Sequence, residues 1–381
     1  MKITGIICEY NPFHLGHEKQ IRSILAQKPE TGVVCLMSGN FVQRGMPAII
    51  DKSIRAKAAI LSGADLVLEL PVTAALSSAE GFASQGVSIL GGFCDSLSFG
   101  AETGSPELLL ATAKLLLTPE FSGFLKSALQ EGLSFPAARQ KALENMGFDS
   151  SILTTPNNIL AIEYCKAIVS QNSKMKPEPI LRQGNYHDTA PDPENPSATA
   201  LRRLLEGDLN WQNYVPEAVI PIFENAPVHS LQAGERAILY RLRTMTDAEF
   251  EALPYGSEGL WRKLMKSART YATLEEILTA TKSKRYTRTR LDRMVMCAFL
   301  GLSAEDLSSP APYVRVLALN DKGREILLKA RENGHFPNIG EKIEHPYQAI
   351  ENRCDDLYGL FVAEKTETAS ITAKRRIQYV K

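Results

Sequence analysis

The amino-acid sequence predicts a protein of the α/β class, with a doubly wound parallel sheet followed by a mainly helical part. Over about the first 200 residues, short apolar runs alternate with helical stretches, as in strands joined by helical crossovers. A turn signal and a glycine follow the first apolar run. Beyond about residue 205 the alternation stops. We therefore expect an α/β domain at 1–205 and a mainly helical domain at 206–381.

The elements of the first domain follow one another in a regular order. Each apolar run has the length of a strand and is followed by turn residues. The predicted strands are 3–7, 32–37, 66–70 and 96–99, and the predicted helices are 17–27, 52–62, 79–90, 108–117, one starting at Pro136, and 159–169. Residues 176–196 are rich in Pro, Asp and Asn, so we expect a long functional loop there. Ser197 can then cap a further helix.

The second half has helical periodicity with one exception. Residues 313–319 alternate between apolar and other side chains, which is typical of a strand. The predicted helices are 234–245, 246–252, 258–268, 273–279, 287–300 and 321–333.

Composition limits the class of protein. The chain is 44% hydrophobic and 23% charged, which is ordinary for a globular protein. Its 43 basic and 43 acidic residues balance, so no overall field recruits nucleic acid. The six cysteines are scattered without a CxxC pair, which argues against a zinc ribbon or a disulfide framework. With no apolar run of membrane-spanning length and no signal-peptide pattern, we expect a soluble cytoplasmic protein.

The segment between the first strand and the first helix predicts a phosphate site. Residues 9–17 read EYNPFHLGH, in which Asn11 and Pro12 end the strand and Gly16 allows close approach to the backbone. The N–H groups that open a helix attract anions. His14 and His17 are three residues apart, so their rings face the same side and can donate to phosphate oxygens. The alternative is that two histidines near a surface turn are incidental.

The loop after the second strand combines groups that suit a small substrate. Residues 38–45 read SGNFVQRG, and the carboxyl edge of a parallel sheet is where ligands bind. Amides can read neutral polar groups and arginine can clamp a carboxylate or phosphate. An ordinary strand–helix connection is the alternative. The candidate substrate residues are Ser38, Asn40, Gln43 and Arg44.

Other candidate ligand groups are less specific. Gly100 ends the fourth strand, where its N–H can contact a base or ribose; simple termination of the strand is the alternative. Asn157 and Asn158 could contact adenine or ribose, although asparagine before a helix is commonly a cap. Arg182 and the pair at 202–203 could hold phosphates, or they could be solvated.

A local basic region stands out in this neutral chain. Residues 261–293 contain ten basic and three acidic side chains, with Trp261 and Tyr286 among them. Phosphate contacts release counterions, and aromatic rings can stack on exposed bases. We expect nucleic-acid contact here; a solvated helix face is the alternative. The candidate residues are Arg262, Lys266, Lys284, Arg285, Arg288 and Arg290.

Several of these segments together resemble one family. Residues 5–17, SGNFVQRG, SFGAE at 98–102, PNNILAIEY at 156–164, YHD at 186–188, SATALR at 197–202 and KRYTRTRLDRM at 284–294 are similar in chain order to the bacterial tRNA(Met) cytidine acetate ligases, members of the HIGH-type nucleotidyl transferase superfamily. The resemblance implies a Rossmann-like ATP-binding domain with a helical C-terminal part. One departure from the superfamily's pattern is Leu201, because members of the superfamily often have an isoleucine at this position, just before the arginine.

The resemblance also implies a reaction. Acetate and ATP would give acetyl-adenylate and pyrophosphate. N4 of the wobble cytidine in elongator tRNA(Met) would then take the acetyl group. SGNFVQRG is the candidate loop for acetate. The anticodon arm would contact the basic region. By the same resemblance, His14, His17 and Lys19 would be catalytic and Mg²⁺ would assist. The ATP contacts would be Ile7, Cys8, Glu9, Tyr10, Asn11, Pro12, Phe13, His14, Leu15, Gly16, His17, Glu18, Lys19, Gln20, Gly100, Asn157 or Asn158, and Arg182.

Two other functions remain compatible with the residues. A small-molecule adenylyltransferase of the pantetheine-phosphate or nicotinamide mononucleotide type also uses HxGH, but such enzymes are usually short single domains. A catalytically silent RNA-binding module would not need the intact His14, Gly16 and His17.

Overall fold

The strands of the protein are short and lie mostly in the first half of the chain. The computed structural model describes residues 1–181, 196–207, 209–310, 312–332, 345–363 and 377–380. The strands within these ranges are Ile3–Cys8 (β1), Gly32–Ser38 (β2), Phe41–Val42 (β3), Met46–Pro47 (β4), Leu66–Leu70 (β5), Ser96–Ala101 (β6), Lys176–Leu181 (β7), Val316–Leu319 (β8) and Gln378–Tyr379 (β9).

Helices connect the strands in the first half and dominate the second. Before residue 207 they are Leu15–Gln27 (α1), Lys52–Leu61 (α2), Val72–Ala75 (α3), Ala79–Leu90 (α4), Pro106–Leu116 (α5), Pro119–Gln130 (α6), Phe135–Asn145 (α7), Pro156–Ser170 (α8) and Ala198–Glu206 (α9). After it they are Ile220–Glu224 (α10), Leu231–Thr244 (α11), Asp247–Glu251 (α12), Leu260–Thr270 (α13), Leu274–Thr281 (α14), Arg288–Leu300 (α15), Ala304–Ser308 (α16), Asp321–Glu332 (α17) and Pro346–Tyr358 (α18).

The main sheet has the order β7-β6-β1-β2-β5-β8-β9. The five strands from β7 to β5 are parallel, and β8 pairs antiparallel with β5. Alternate side chains of the strands enter two cores: Ile7 and Leu36 pack with α4, α5 and α8, and Ile6 and Cys35 pack with α1 and α2. A parallel sheet needs such cover on both faces. The prediction of a doubly wound α/β fold with a mainly helical C-terminal part is confirmed.

The segment 176–196 contains a strand where the sequence pattern predicted only a loop. Residues Lys176–Leu181 form β7, which pairs in parallel with β6 at the edge of the sheet. The N–H of Lys176 donates to the carbonyl of Asp95 on the β6 side. The backbone N–H groups of alternate residues in a strand point the same way, so Pro177 and Pro179, which have no N–H, occupy positions that face away from β6. An edge strand tolerates proline there because no strand of the described residues pairs on that side.

The C-terminal half is not separate from the sheet. Its helices share an apolar core that also includes Phe41, Val72 and Leu76 from the first half. The strand predicted at 313–319 is β8, shorter than expected, and it joins the main sheet with β9. The proposed domain boundary after residue 205 stays a prediction.

Within the described ranges, no single helix is long and apolar enough to cross a membrane. The helices α5 and α6 reach that length and composition only as a pair bent by 69°.

Candidate active site

The HxGH turn lies at the carboxyl end of β1, where α1 begins. His14 is the N-cap of α1, and its Nδ1 accepts the backbone N–H of Gly16 at 3.1 Å. His17 reaches back, so that its Nδ1 accepts the backbone N–H of His14 at 3.3 Å. The two histidines therefore form a capping box, a role that serine and glutamate commonly have. Their rings stack, with centroids 3.7 Å apart.

The capping bonds determine where each neutral imidazole carries its proton. A ring nitrogen that accepts a backbone N–H cannot itself be protonated. Since Nδ1 is the acceptor in both His14 and His17, the proton of each neutral ring is on Nε2. Each ring then presents an N–H donor on the side opposite its cap. This tautomer suits binding of an anion at the start of α1.

The residues around the turn hold the rings in place. Tyr10 has a φ of 46°, in the left-handed region, which costs roughly 1–3 kcal/mol for a residue with a side chain. Its ring packs edge-on against Phe13 at 4.8 Å and lies 4.7 Å from the ring of His17. Both Tyr10 and Phe13 are buried. This aromatic packing supports the strained turn and one face of His17.

The packing of the histidine rings explains the glycine at position 16. A Cβ at this position would lie 2.9 Å from Cε1 of His14. That distance is shorter than real side chains allow, so a larger residue would displace the His14 ring. The sequence suggested only close approach of a phosphate.

Buried polar groups connect the turn to neighbouring loops. Glu9 accepts the N–H of Gln43 at 2.6 Å, and Asn11 Oδ1 accepts the N–H of Ile49 at 2.8 Å. Burial raises the pKa of the Glu9 carboxyl, while the N–H of Gln43 and the charge of Arg44 lower it. The segment that begins with SGNFVQRG thus folds back against the HxGH turn.

Cys8 is also part of the predicted ATP segment, but its chemistry is unsuited to nucleophilic attack. Burial raises the pKa of the Cys8 thiol well above its usual range. The thiolate is the reactive form of cysteine, so this thiol is inert at neutral pH.

The four candidate substrate residues of the SGNFVQRG loop differ in exposure. Gln43 and Arg44 are partly exposed, whereas Ser38 and Asn40 are buried. The amide of Asn40 is used within the protein, since its Oδ1 accepts the N–H of Lys52 at 2.9 Å and its Nδ2 donates to Asp355 at 3.1 Å. Contact between the loop and acetate stays a prediction, and for Asn40 the structure shows a structural use of the side chain.

Gly100 and the asparagine pair come together at the end of β6. Asn158 Oδ1 accepts the N–H groups of Glu102 and Thr103, each at 3.0 Å, and Asn157 Nδ2 donates to Glu102 at 2.6 Å. The Asn157 contact to Glu102 joins the start of α8 to the segment after Gly100. Cap and ligand roles were the alternatives predicted for these asparagines, and the structure shows Asn158 ordering the loop that follows Gly100.

The predicted phosphate-binding arginines come from two segments. Arg182 and residues 186–188 lie outside the described residues. Arg202 on α9 donates to the carbonyl of Asn11 at 2.8 Å. Burial lowers the pKa of Arg202, and the nearby charge of Arg44 lowers it further. Arg202 therefore lies beside the HxGH turn, where the charge of Arg44 acts on it.

The basic candidates for nucleic-acid contact are partly occupied within the protein. Arg285 pairs with Glu258 at 2.9 Å, and Arg288 pairs with Glu275 at 2.7 Å. Arg290 donates to the carbonyl of Tyr255 at 2.8 Å. Arg262 lies over the Trp261 ring, 4.9 Å from its centroid.

Lys266 and Lys284 are the lysines among these candidates. Both are exposed, Lys266 on α13 and Lys284 in the segment between α14 and α15. Lys19, the third predicted catalytic residue, is exposed on α1.

Sequence reasoning missed the two buried cations of α2. Lys52 and Arg55 are 2% and 0% exposed. The missed signal is their spacing, since Lys52, Arg55, Ala56 and Ala59 follow the pattern of one buried helix face. Lys52 Nζ contacts Glu69 at 2.7 Å and Asp355 at 2.6 Å, which links the sheet to α18.

A parallel sheet with a histidine-capped helix after its first strand defines the class of this protein: the chain is a HIGH-type nucleotidyl transferase. A sequence model of the HIGH Nucleotidyl Transferase family matches residues 1–373. The chain is 38% identical to the tRNA(Met) cytidine acetate ligase of Clostridium tetani and 39% identical to that of Clostridium perfringens, with 90% of each chain covered. It belongs to the tRNA(Met) cytidine acetate ligase family.

Solved structures agree with the assignment. The crystal structure of apo Thermotoga maritima TmcAL superposes with a TM-score of 0.91 at 28% identity, covering 100% of both chains. The structure of the same protein bound with alpha-thio ATP superposes with a TM-score of 0.88 at 27% identity, again over 100% of both chains.

Proposed function

We propose that this protein is an ATP-dependent ligase that activates acetate and transfers the acetyl group to N4 of the wobble cytidine in elongator tRNA(Met). In the first step a carboxylate oxygen of acetate attacks the α-phosphorus of ATP, and pyrophosphate leaves. In the second, the N4 amine attacks the carbonyl of acetyl-adenylate, AMP leaves and the amine loses a proton. The observation that carries the proposal is the family membership, and the intact histidine-capped turn supports it.

The histidine caps support a role in the first step. Negative charge grows on the pyrophosphate as the bond to the α-phosphorus breaks, and preorganised donors stabilise such charge. The Nε2–H groups of His14 and His17 are such donors, and the partial positive charge at the start of α1 acts with them. Lys19 follows on the same helix, and we propose that it adds positive charge. The ATP contacts proposed for residues 7–20, for Gly100, for Asn157 or Asn158 and for Arg182 rest on the resemblance.

We propose Mg²⁺ only as an ion that is bound to the phosphates of ATP. Among the described residues, no group of three His, Cys, Asp or Glu side chains is placed to hold a metal ion. Magnesium commonly reaches such enzymes on the nucleotide phosphates and water, which does not require a site made by protein side chains alone.

The basic region supports contact with the anticodon arm. Its arginines and lysines lie on α13, on α15 and in the segment between α14 and α15. Arg293 on α15 donates to the carbonyl of Gln43 at 3.4 Å, so this region adjoins the SGNFVQRG loop. A tRNA held here would lie next to the proposed acetate loop. A tRNA substrate also makes the cytoplasm the expected location.

One experiment tests the whole proposal. The protein is incubated with ATP, labelled acetate and tRNA, and the nucleosides are then separated. We expect labelled N4-acetylcytidine in elongator tRNA(Met) and none when either ATP or acetate is omitted.

Pyrophosphate exchange measured alongside separates the two steps. Acetate-dependent exchange without acetylcytidine would leave adenylation and remove the tRNA step. Exchange that depends on a phosphorylated small molecule instead of acetate would contradict the proposal.

A further inference from the structure

Arg55 is fully buried, and its guanidinium contacts several backbone carbonyls. Its Nε donates to the carbonyl of Ile50 at 2.7 Å, and its Nη1 donates to the carbonyls of Glu9 at 2.5 Å and Ser38 at 3.1 Å. Its Nη2 donates to the carbonyl of Gly39. One side chain thus bonds to backbone oxygens from three separate segments.

Those segments are the loops that form the candidate active site. Glu9 directly follows β1 and precedes the HxGH turn, while Ser38 ends β2 and, with Gly39, opens the SGNFVQRG loop. Ile50 comes where the chain returns from that loop to α2. A buried carbonyl that loses its donor costs about 1–3 kcal/mol, so removal of the guanidinium would weaken all three segments together.

The fork geometry of arginine explains why this residue type is needed. A guanidinium has five N–H groups in a fixed plane, so it can reach carbonyls in several directions at once. A lysine ammonium is a single point with three donors and cannot span them. Burial lowers the pKa of Arg55, and the nearby charges of Asp51 and Glu9 oppose that effect. The guanidinium remains charged and its hydrogen bonds are charge-assisted.

We propose that Arg55 is a positioning residue, which sets the distance between the HxGH turn and the SGNFVQRG loop without touching a substrate. The inference rests on the proposed function, because it concerns the alignment of ATP on the turn with acetate near the loop. The other contacts between these segments, from Gln43 to Glu9 and from Ile49 to Asn11, join backbone N–H groups to side chains. The β1–β2 ladder itself ends at Cys8 and Met37, and Arg55 bonds to the backbone just beyond it, at Glu9 and at Ser38 and Gly39.

The test compares Arg55→Lys with a matched control, Arg139→Lys. Arg139 is also a buried arginine, but it pairs with Glu163 between α7 and α8. We expect kcat of acetate-dependent ATP–pyrophosphate exchange to fall about 10- to 100-fold in Arg55→Lys, because small misplacements of reacting groups cost rate steeply. The directly measured Kd for ATP should change less than about threefold, because the nucleotide contacts are spread over the turn. Arg139→Lys should keep the wild-type kcat.

Chemical rescue distinguishes a positioning role of Arg55 from a role in stability alone. In Arg55→Ala, millimolar guanidinium chloride should restore exchange several-fold and saturably, whereas equal sodium chloride or urea should not. The Arg139→Ala variant should show no rescue. Equal kcat values in Arg55→Lys and Arg139→Lys, or failure of both Arg55 variants to fold, would overturn the positioning role. Absence of exchange in the wild-type protein would instead refute the proposed function, on which this inference rests.

Discussion

The histidines of the HxGH turn each use one ring nitrogen as a helix cap, and the proposed function assigns the other to phosphate. In His14 and His17, Nδ1 accepts a backbone N–H, and this fixes the proton of the neutral ring on Nε2. Helix capping therefore selects the tautomer that the proposed phosphate contact needs. The same residue type caps α18, where His345 Nδ1 accepts the N–H of Tyr347 at 3.1 Å. The chain thus contains a histidine cap that lies outside the proposed site.

This pair of caps gives the first prediction. His14→Ala and His345→Ala should each lower the free energy of unfolding by about 1 kcal/mol, since each removes a helix cap. Only His14→Ala should also reduce acetate-dependent pyrophosphate exchange, by about 100-fold, because it removes a donor to the developing charge. Urea unfolding and exchange assays measure the two effects. Full exchange in His14→Ala or in His17→Ala would contradict the catalytic role.

The second prediction concerns Glu351, a buried carboxyl on α18. Burial raises its pKa from 4.5 to about 7; Arg315 opposes the shift, while the carboxylates of Glu69 and Asp355 add to it. The folded state therefore holds a proton that the unfolded state releases between these pH values. The stabilisation from this proton is complete below about pH 4.5 and is lost as the pH rises through about 7.

Thermal unfolding between pH 5 and 8 measures this effect. In Glu351→Gln, which cannot ionise, Tm should fall less on raising the pH than in the wild-type protein. The exposed Glu131→Gln serves as a control, since its carboxyl lies on the surface beside Lys141. Parallel curves for the wild type and Glu351→Gln would contradict the raised pKa.

At the scale of elements, the SGNFVQRG loop contacts structure on both sides. Glu9 and Arg55 hold it to the strand ends, and Asp355 of α18 accepts from Asn40. On its far side, Gly45 lies against the backbone of α15. Its φ is +76°, and a Cβ there would be 2.4 Å from the N atom of Arg293. The loop is therefore the element through which the sheet meets the C-terminal helices.

A pair of glycines tests that contact. Gly132 has a φ of +85° but open space around its Cβ direction, so Gly132→Ala should show only the backbone cost of about 1–2 kcal/mol. Gly45→Ala should lose roughly 1–3 kcal/mol more, because the new methyl group overlaps α15. Denaturant unfolding gives both values. Equal losses in the two variants would show that the loop and α15 are not in close contact.

At the scale of the whole molecule, the C-terminal half both completes the sheet and carries the basic region. Charge reversal tests the proposed tRNA contact of the basic region best at residues without internal ion pairs in the described structure. Arg285 and Arg288 have such pairs, so we choose Lys266 and Lys284. Lys126→Glu on the exposed side of α6 is the matched control.

The double variant Lys266→Glu, Lys284→Glu should bind tRNA more weakly and leave acetate-dependent exchange unchanged. Each lost phosphate contact should reduce the slope of log Kd against log salt by about 1. Filter binding over a salt series measures this slope. Loss of exchange in parallel with tRNA binding would contradict a separate tRNA surface, and weaker binding in Lys126→Glu would show a nonspecific charge effect.

Local sequence pattern was sufficient to predict the α/β class, the positions of β1, β2, β5 and β6, and the HxGH turn. These follow from periodicity and turn chemistry, which neighbouring residues decide. The folded chain was needed to show that Lys176–Leu181 is an edge strand and that Asn40 is held by Asp355, 315 residues away. It was also needed to show that Lys52 and Arg55 are buried. A buried polar residue is stable only with partners, and those partners come from distant parts of the chain that local pattern does not bring together.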